Sequence, residues 1–163
     1  MPSASAVLTS PSVERVRHAL ERAGVPFDIV ELPGAARTAR AAAGFLGCDL
    51  AQIANSLVFR GESTGEAVLV VSSGAKRVDL ARLAALLGES ASKADADFVR
   101  ERTGFAIGGV APVGHGVTRV FVEQSLAAFP ELWAAAGHPH TVFRSSFQEL
   151  LRVTNGTPAE LAA

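Results

Sequence analysis

The chain has 163 residues, 48% of them hydrophobic and 19% charged, with a formal net charge of -1. That length and balance suit one domain with its own core and exclude a disordered or fibrous chain. A total charge this close to zero excludes broad attraction to a nucleic-acid backbone, so any such contact must be local. Cys48 is the only cysteine, which excludes an intrachain disulfide and a thiolate zinc site and suits a reducing cytoplasm. No segment approaches the roughly 20 apolar residues of a membrane span, and the first twelve residues lack the basic and apolar regions of a secretion signal. The expectation is a cytoplasmic protein that no membrane holds. The basic residues are almost all Arg, with Lys only at Lys76 and Lys93.

Residues 1–10 are small and polar and read as a loose lead-in to a domain over residues 11–157, with residues 158–163 as a tail. Ser10 and Pro11 have the character of a helix cap and first helical residue. Val13, Val16, Leu20 and Ala23 then share one face, and Gly24 stops the helix. Phe27 to Glu31 reads as a short strand. Thr38 caps a helix that Gly47 ends, and Asp49 with Gln52 has capping-box spacing for one more turn. Ser56 to Arg60 and Ala67 to Val71 are apolar runs joined by a polar loop, the pattern of central strands covered on both faces. Asp79 caps a helix closed by Gly88, and Asp95 caps another closed by Gly104. Arg119 to Glu123, Leu132 to Ala136 and Thr141 to Arg144 read as strands. Ser146 and Glu149 open a last helix, which Asn155-Gly156 ends. This order predicts an α/β (α+β) single domain, a mixed central sheet surrounded by helices. It lacks the regular strand–helix alternation of a doubly wound nucleotide-binding fold.

Chemistry is expected at strand ends: Asn55-Ser56, the Ser72 to Arg77 turn, the Gly-rich loop over residues 108–115, and Gly137-His138 with His140. The glycines of residues 108–115 let backbone N–H groups approach a ligand, and Pro112 stiffens the path. A wide turn between strands is the plainer reading of that composition. Serine, cysteine and zinc hydrolase signatures are absent, and Pro139 between His138 and His140 argues against a shared metal. His115 and His138 are read as substrate-binding or orienting residues, with surface imidazole as the alternative for either.

From about Val13 to Gly156 the sequence resembles the YbaK/EbsC group of aminoacyl-tRNA deacylases, which is similar to the editing domain inserted in bacterial-type prolyl-tRNA synthetases. The resemblance is carried by Asn55-Ser-Leu-Val-Phe59, Ser73-Gly-Ala-Lys-Arg-Val-Asp79, Gly137-His138 and Thr103-Gly-Phe-Ala-Ile-Gly-Gly-Val110, and by the Gly108-x-x-x-Pro112 spacing. It implies that fold and the hydrolysis of the ester between a wrong, small or proline-like amino acid and tRNA. It implies no cofactor and no metal. By the same resemblance the Gly108 and Gly109 amides are oxyanion donors, and Asn55 and His138 hold the ribose and the attacking water. Ser73, Lys76, Arg77, Pro112, Gly114, His115 and Gly137 would bind substrate. One position departs from the family, which usually has Lys where this chain has Asn55. A carboxamide hydrogen-bonds but cannot pair with a charge, and Lys76 in the neighbouring turn is the candidate replacement cation. The implied partner is the tRNA acceptor end, with an aminoacyl-tRNA synthetase as a second candidate. The alternatives are a non-catalytic module of the same fold that recognises aminoacyl-tRNA, a nucleotide or a synthetase, and a hydrolase of small aminoacyl esters unrelated to tRNA.

Overall fold

The computed structural model describes residues 3–163, and the local signals of the sequence account for most of its elements. Helix α1 is Ser3–Leu8, and α2 is Pro11–Ala23, with Val13, Val16 and Leu20 buried. Strand β1 is Ile29–Glu31. Helix α3, Ala39–Leu46, starts where Thr38 accepts the Ala41 N–H and stops at left-handed Gly47. Asp49 and Gln52 form a capping box around a short 3-10 turn, Leu50–Gln52. Strands β2, Ile53–Gly61, and β3, Ala67–Ser73, follow as a hairpin. Asp79 and Asp95 cap α4, Leu80–Leu87, and α5, Ala96–Thr103, on either side of β4, Ala91–Lys93. The chain continues through β5, Val120–Glu123, β6, Leu132–Ala135, and β7, Thr141–Ser145. It closes with α6, Phe147–Thr154, and β8, Thr157–Ala159.

The strands form one mixed sheet in the order β1-β7-β6-β2-β3-β5-β8, with β4 added to β2. Side chains alternate across β3, so Leu69 and Val71 enter a core with α2, α5 and α6. Val68 and Val70 enter a second core with Leu83 of α4. Both faces are covered, which is why β3 reads as an unbroken apolar run. Full burial of one such Val or Leu contributes about 1.5–3 kcal/mol. A third cluster, with Ala42 and Ala43 of α3 against Ile53 and Val142, closes the sheet beside β2.

Several expectations are corrected here. Ser3–Leu8 is helical rather than a loose lead-in, with Leu8 packed on the core; Met1 and Pro2 lie outside the described residues. Ser10 holds the N-cap position of α2, and its carbonyl accepts the first helical bond from Glu14 N–H, but its hydroxyl makes no capping bond. Asn55 lies within β2 rather than before it, because antiparallel pairing with β3 runs back to Ala54 and parallel pairing with β6 to Ile53. The last residues are built in. β8 pairs with β5, Leu161 is fully buried, and its N–H and that of Ala162 are both held by the Glu123 carboxylate. Burial pushes the Glu123 carboxyl up, but bonds from Ser125, Leu161 and Ala162 outweigh this and hold it below the usual carboxylate value.

Candidate functional site

The site follows from how β2 shares its edges. One edge pairs with β3 from Ala54 to Arg60. On the other, parallel β6 covers Ile53 and Ala54, and antiparallel β4 covers Phe59 to Gly61. Residues 55–58 between them have no strand registered against that edge, although the Val58 carbonyl accepts Ala94 N–H at 3.1 Å. Gly61 N–H donates to Glu66 and Ile53 C=O accepts from Gly74, so odd-numbered β2 residues turn their backbone groups toward β3. Even-numbered residues turn theirs the other way. The N–H and C=O of Ser56 therefore aim at the gap.

A cavity of about 270 Å³ occupies this gap. Its walls are residues 36–39 at the entrance of α3, Trp133 and Ala134 of β6, Thr141 and Val142 of β7, Lys93 and Ala94, and Ile107 with Gly108. Asn55 and Ser56 form its floor on β2. No carboxylate, imidazole or thiol lines it, while Arg37 and Lys93 supply two cations, so it is electropositive and lacks a side-chain general base. The Ser56 hydroxyl oxygen is buried without a hydrogen-bond partner. A buried polar atom left unpaired beside a cavity is a ready ligand contact.

The sequence-expected residues divide among three places. Asn55 and Gly108 line the cavity. Gly108 has φ +95°, and a Cβ there would lie 3.1 Å from Arg37 Cα, Cβ and Cγ, so its backbone is pressed against the Arg37 wall. Gly109 is tucked against the backbone of His138, and its N–H donates to the Ala106 carbonyl at 2.9 Å. That bond corrects the expectation of paired oxyanion donors, since only the Gly108 amide stays in question. His138 does not line the cavity. Its carbonyl accepts from the hydroxyl of Thr141, which does, and its Nδ1 accepts from His140 N–H at 3.0 Å, leaving Nε2 as the donor nitrogen. Burial, then His140 and Arg37, push the His138 imidazole below its usual value against the opposing pull of Glu31.

The remaining candidates lie elsewhere. Ser73 is buried, donating to the Ala51 carbonyl and accepting from Ala75 N–H, while Lys76 and Arg77 are exposed at the turn beyond it. None of the three lines the cavity, and the cavity's lysine is Lys93, not Lys76. Gly137, at φ +100°, is packed against the Ser12 carbonyl and Phe105. Pro112, Gly114 and His115 line a second cavity beside α2 and α6. Both His115 ring nitrogens are used internally, Nε2 toward the Pro112 carbonyl at 2.6 Å and Nδ1 from Val117 N–H. This fixes a neutral, turn-bracing imidazole, which burial also favours by pushing the group down despite the two backbone bonds. Among the described residues no cluster of His, Cys, Asp and Glu could hold a metal, and no helix is long and apolar enough to cross a membrane.

Sequence reasoning missed Arg37, Lys93 and Trp133, while Ser56, singled out with Asn55, does line the cavity. One signal was available for Arg37, which directly precedes the Thr38 helix cap.

Comparison with known proteins agrees with this architecture. Residues 34–153 match the model of a family described as aminoacyl-tRNA editing domain. An uncharacterized protein of Bacillus subtilis strain 168, YwhH, is 32% identical over 124 residues, covering 76% of this chain and 78% of that one. A crystal structure provisionally described as a trans-editing enzyme for prolyl tRNA synthetase superposes with a TM-score of 0.86 at 44% identity, covering 94% of this chain and 98% of that chain. The hypothetical protein APE2540 shares the fold at TM-score 0.85 with 24% identity, over 91% of this chain and 99% of its own. The matched span includes β2, the cavity entrance at Arg37 and Thr38, and the Gly108 loop, so the chain belongs to the aminoacyl-tRNA editing domain family.

Proposed function

We propose that the chain is a trans-editing hydrolase that removes a small or proline-like amino acid from misacylated tRNA. The observation that carries this reading is the electropositive cavity in the β2 edge gap, with an unpaired Ser56 hydroxyl, Asn55 and Gly108 around it and no side-chain base. An aminoacyl ester is activated and has a vicinal ribose hydroxyl, so water needs placement more than it needs a strong base. Charge develops on the ester oxygen in the transition state. Fixed donors and cations in a water-poor cavity stabilise that charge without reorganising, which is a role for Gly108 N–H, Arg37 and Lys93.

Asn55 and Ser56 hold the ribose or the carbonyl by neutral hydrogen bonds, and Gly109 supports the wall by its close approach to His138. A volume of about 270 Å³ lies near the lower bound of small-molecule sites, about 300 Å³, and suits a short side chain. Such a pocket separates one methylene by only about 1–3 kcal/mol, so larger amino acids are excluded by steric rejection. This activity belongs with tRNA charging in the cytoplasm, where a synthetase is the natural source of the mischarged substrate.

The test is deacylation of a panel of aminoacylated tRNAs, with turnover expected for small or proline-like residues. A second reading, a non-catalytic module that recognises aminoacyl-tRNA, draws on the absence of a side-chain base and on the engaged Gly109 N–H. Retained tRNA binding without turnover of any panel member would establish it instead.

A further inference from the structure

The second cavity, about 610 Å³, has a composition unlike the rest of a chain whose net charge is -1. Arg15, Arg22 and Arg152 line it with His18 and His115, and no carboxylate does. Arg15, His18 and Arg22 stand at i, i+3 and i+7 of α2, one face of the helix, opposite the buried Val13, Val16 and Leu20. Arg152 is in the last turn of α6, with a terminal guanidinium nitrogen 3.6 Å from where a Cβ on Gly24 would stand.

The ion pairs among the described residues use Arg17, Arg82, Arg102 and Arg144, and none of the three cavity arginines. Arg15 makes only a neutral contact, donating to the Gly104 carbonyl at 2.9 Å while lying over the Phe105 ring. The three arginines are spread along the cavity, with Arg15 and Arg22 about 10 Å apart along α2, and no carboxylate of the lining neutralises them, which suits a chain of several phosphates. The planar guanidinium donor sets match phosphate oxygens.

We propose that this cavity is a phosphate-binding groove that takes the sugar–phosphate backbone of the tRNA acceptor strand, outside the cavity on β2. The inference deepens the proposed function and rests on it for the identity of the RNA. The Gly108 loop ties the two places together. Gly108 is pressed against Arg37 at the first cavity, and six residues later Gly114 is pressed against the backbone of Arg15, 3.2 Å from a would-be Cβ. Six residue steps span at most about 22 Å, so the arginines are within reach, by a few nucleotides, of a strand whose aminoacyl end is at β2. His115, with both ring nitrogens engaged in its own turn, braces that loop and is not itself a phosphate ligand. A free phosphorylated small molecule shares the chemistry, but it offers no reason for the groove and the editing cavity to share one short loop.

The probe is deacylated tRNA, so that hydrolysis does not enter, and affinity is measured against salt concentration. Each phosphate contact contributes about 0.7 to 0.9 to the slope of log K against log salt. Arg22→Ala/Arg152→Ala should lower that slope by about 1.4–1.8 and weaken binding roughly tenfold at low salt, with thermal unfolding still cooperative. Arg22→Lys/Arg152→Lys should restore most of the slope. An unchanged slope overturns the proposal, whether or not affinity falls. Binding of inorganic phosphate that the double variant loses, with tRNA binding untouched, overturns the assignment to RNA. Hydrolysis of an aminoacyl-adenosine by the unaltered protein is followed separately and reports on the proposed function alone.

Discussion

Ser56→Ala should make the protein more stable and less active. The Ser56 hydroxyl is buried and unpaired, so the folded chain has given up its water bonds without a replacement. Such a group costs about 1–3 kcal/mol, and Ala removes it while opening little space. For a chain of 163 residues, about 1 kcal/mol moves the melting temperature by roughly 2–4 °C. The expected rise is thus a few degrees. Ser56 lines the cavity on β2, and a ligand that reaches its hydroxyl would supply the missing partner, so the variant should lose one hydrogen bond of transition-state binding. That loss is about 0.5–1.5 kcal/mol, roughly twofold to tenfold in kcat/KM.

Ser72 provides the control. Its hydroxyl is also buried and unpaired, and Ser72 stands on β3 directly opposite Asn55 of β2, but it does not line the cavity. Ser72→Ala should raise stability by a similar amount and leave deacylation unchanged. The assay is thermal unfolding and initial-rate deacylation on the same preparations. A Ser56→Ala protein that is less stable, or equally active, would refute the reasoning, because either result means that the hydroxyl already has a structural partner.

Further predictions concern the loop, the carboxamide, the C-terminus and pH. Gly108→Val places a branched Cβ at φ +95° against Arg37; it should abolish deacylation while circular dichroism still reports one cooperative transition. Asn55→Ala should reduce kcat/KM by about 0.5–1.5 kcal/mol, and Asn55→Asp by more, because a carboxylate would face the developing ester charge. An unchanged rate would remove Asn55 from the site. Glu123→Gln sets an amide against the backbone N–H donors of Leu161 and Ala162, and should cost about 2 kcal/mol in urea unfolding and expose the C-terminus to carboxypeptidase. The His115 imidazole is held below its unfolded value of 6.5, so the unfolded chain takes up protons first as pH falls. Its stabilising contribution is complete above that value and shrinks below it; His115→Asn should flatten stability measured from pH 7.5 to 5.5.

Much of this molecule was legible locally. Thr38, Asp79, Asp95 and Ser146 were read as caps and act as caps, because a side chain and an N–H two or three residues on need no distant partner. Gly24, Gly47, Gly88 and Gly104 end helices for an equally local reason, since each takes the left-handed conformation that costs other residues. The two-sided burial of β3 could be read from its unbroken apolar run. The three-residue strands β4 and β8 left no such signal, and they exist only because β2 and β5 had edges to offer. The candidate site lies at that non-local level. It depends on β6 and β4 covering β2 from opposite ends and leaving residues 55–58 between them, a matter of register among strands far apart in the chain. Tertiary structure also parted His115 from His138 and brought Arg37 and Lys93 to one cavity, since strand pairing and helix packing, not sequence spacing, determine which loops meet.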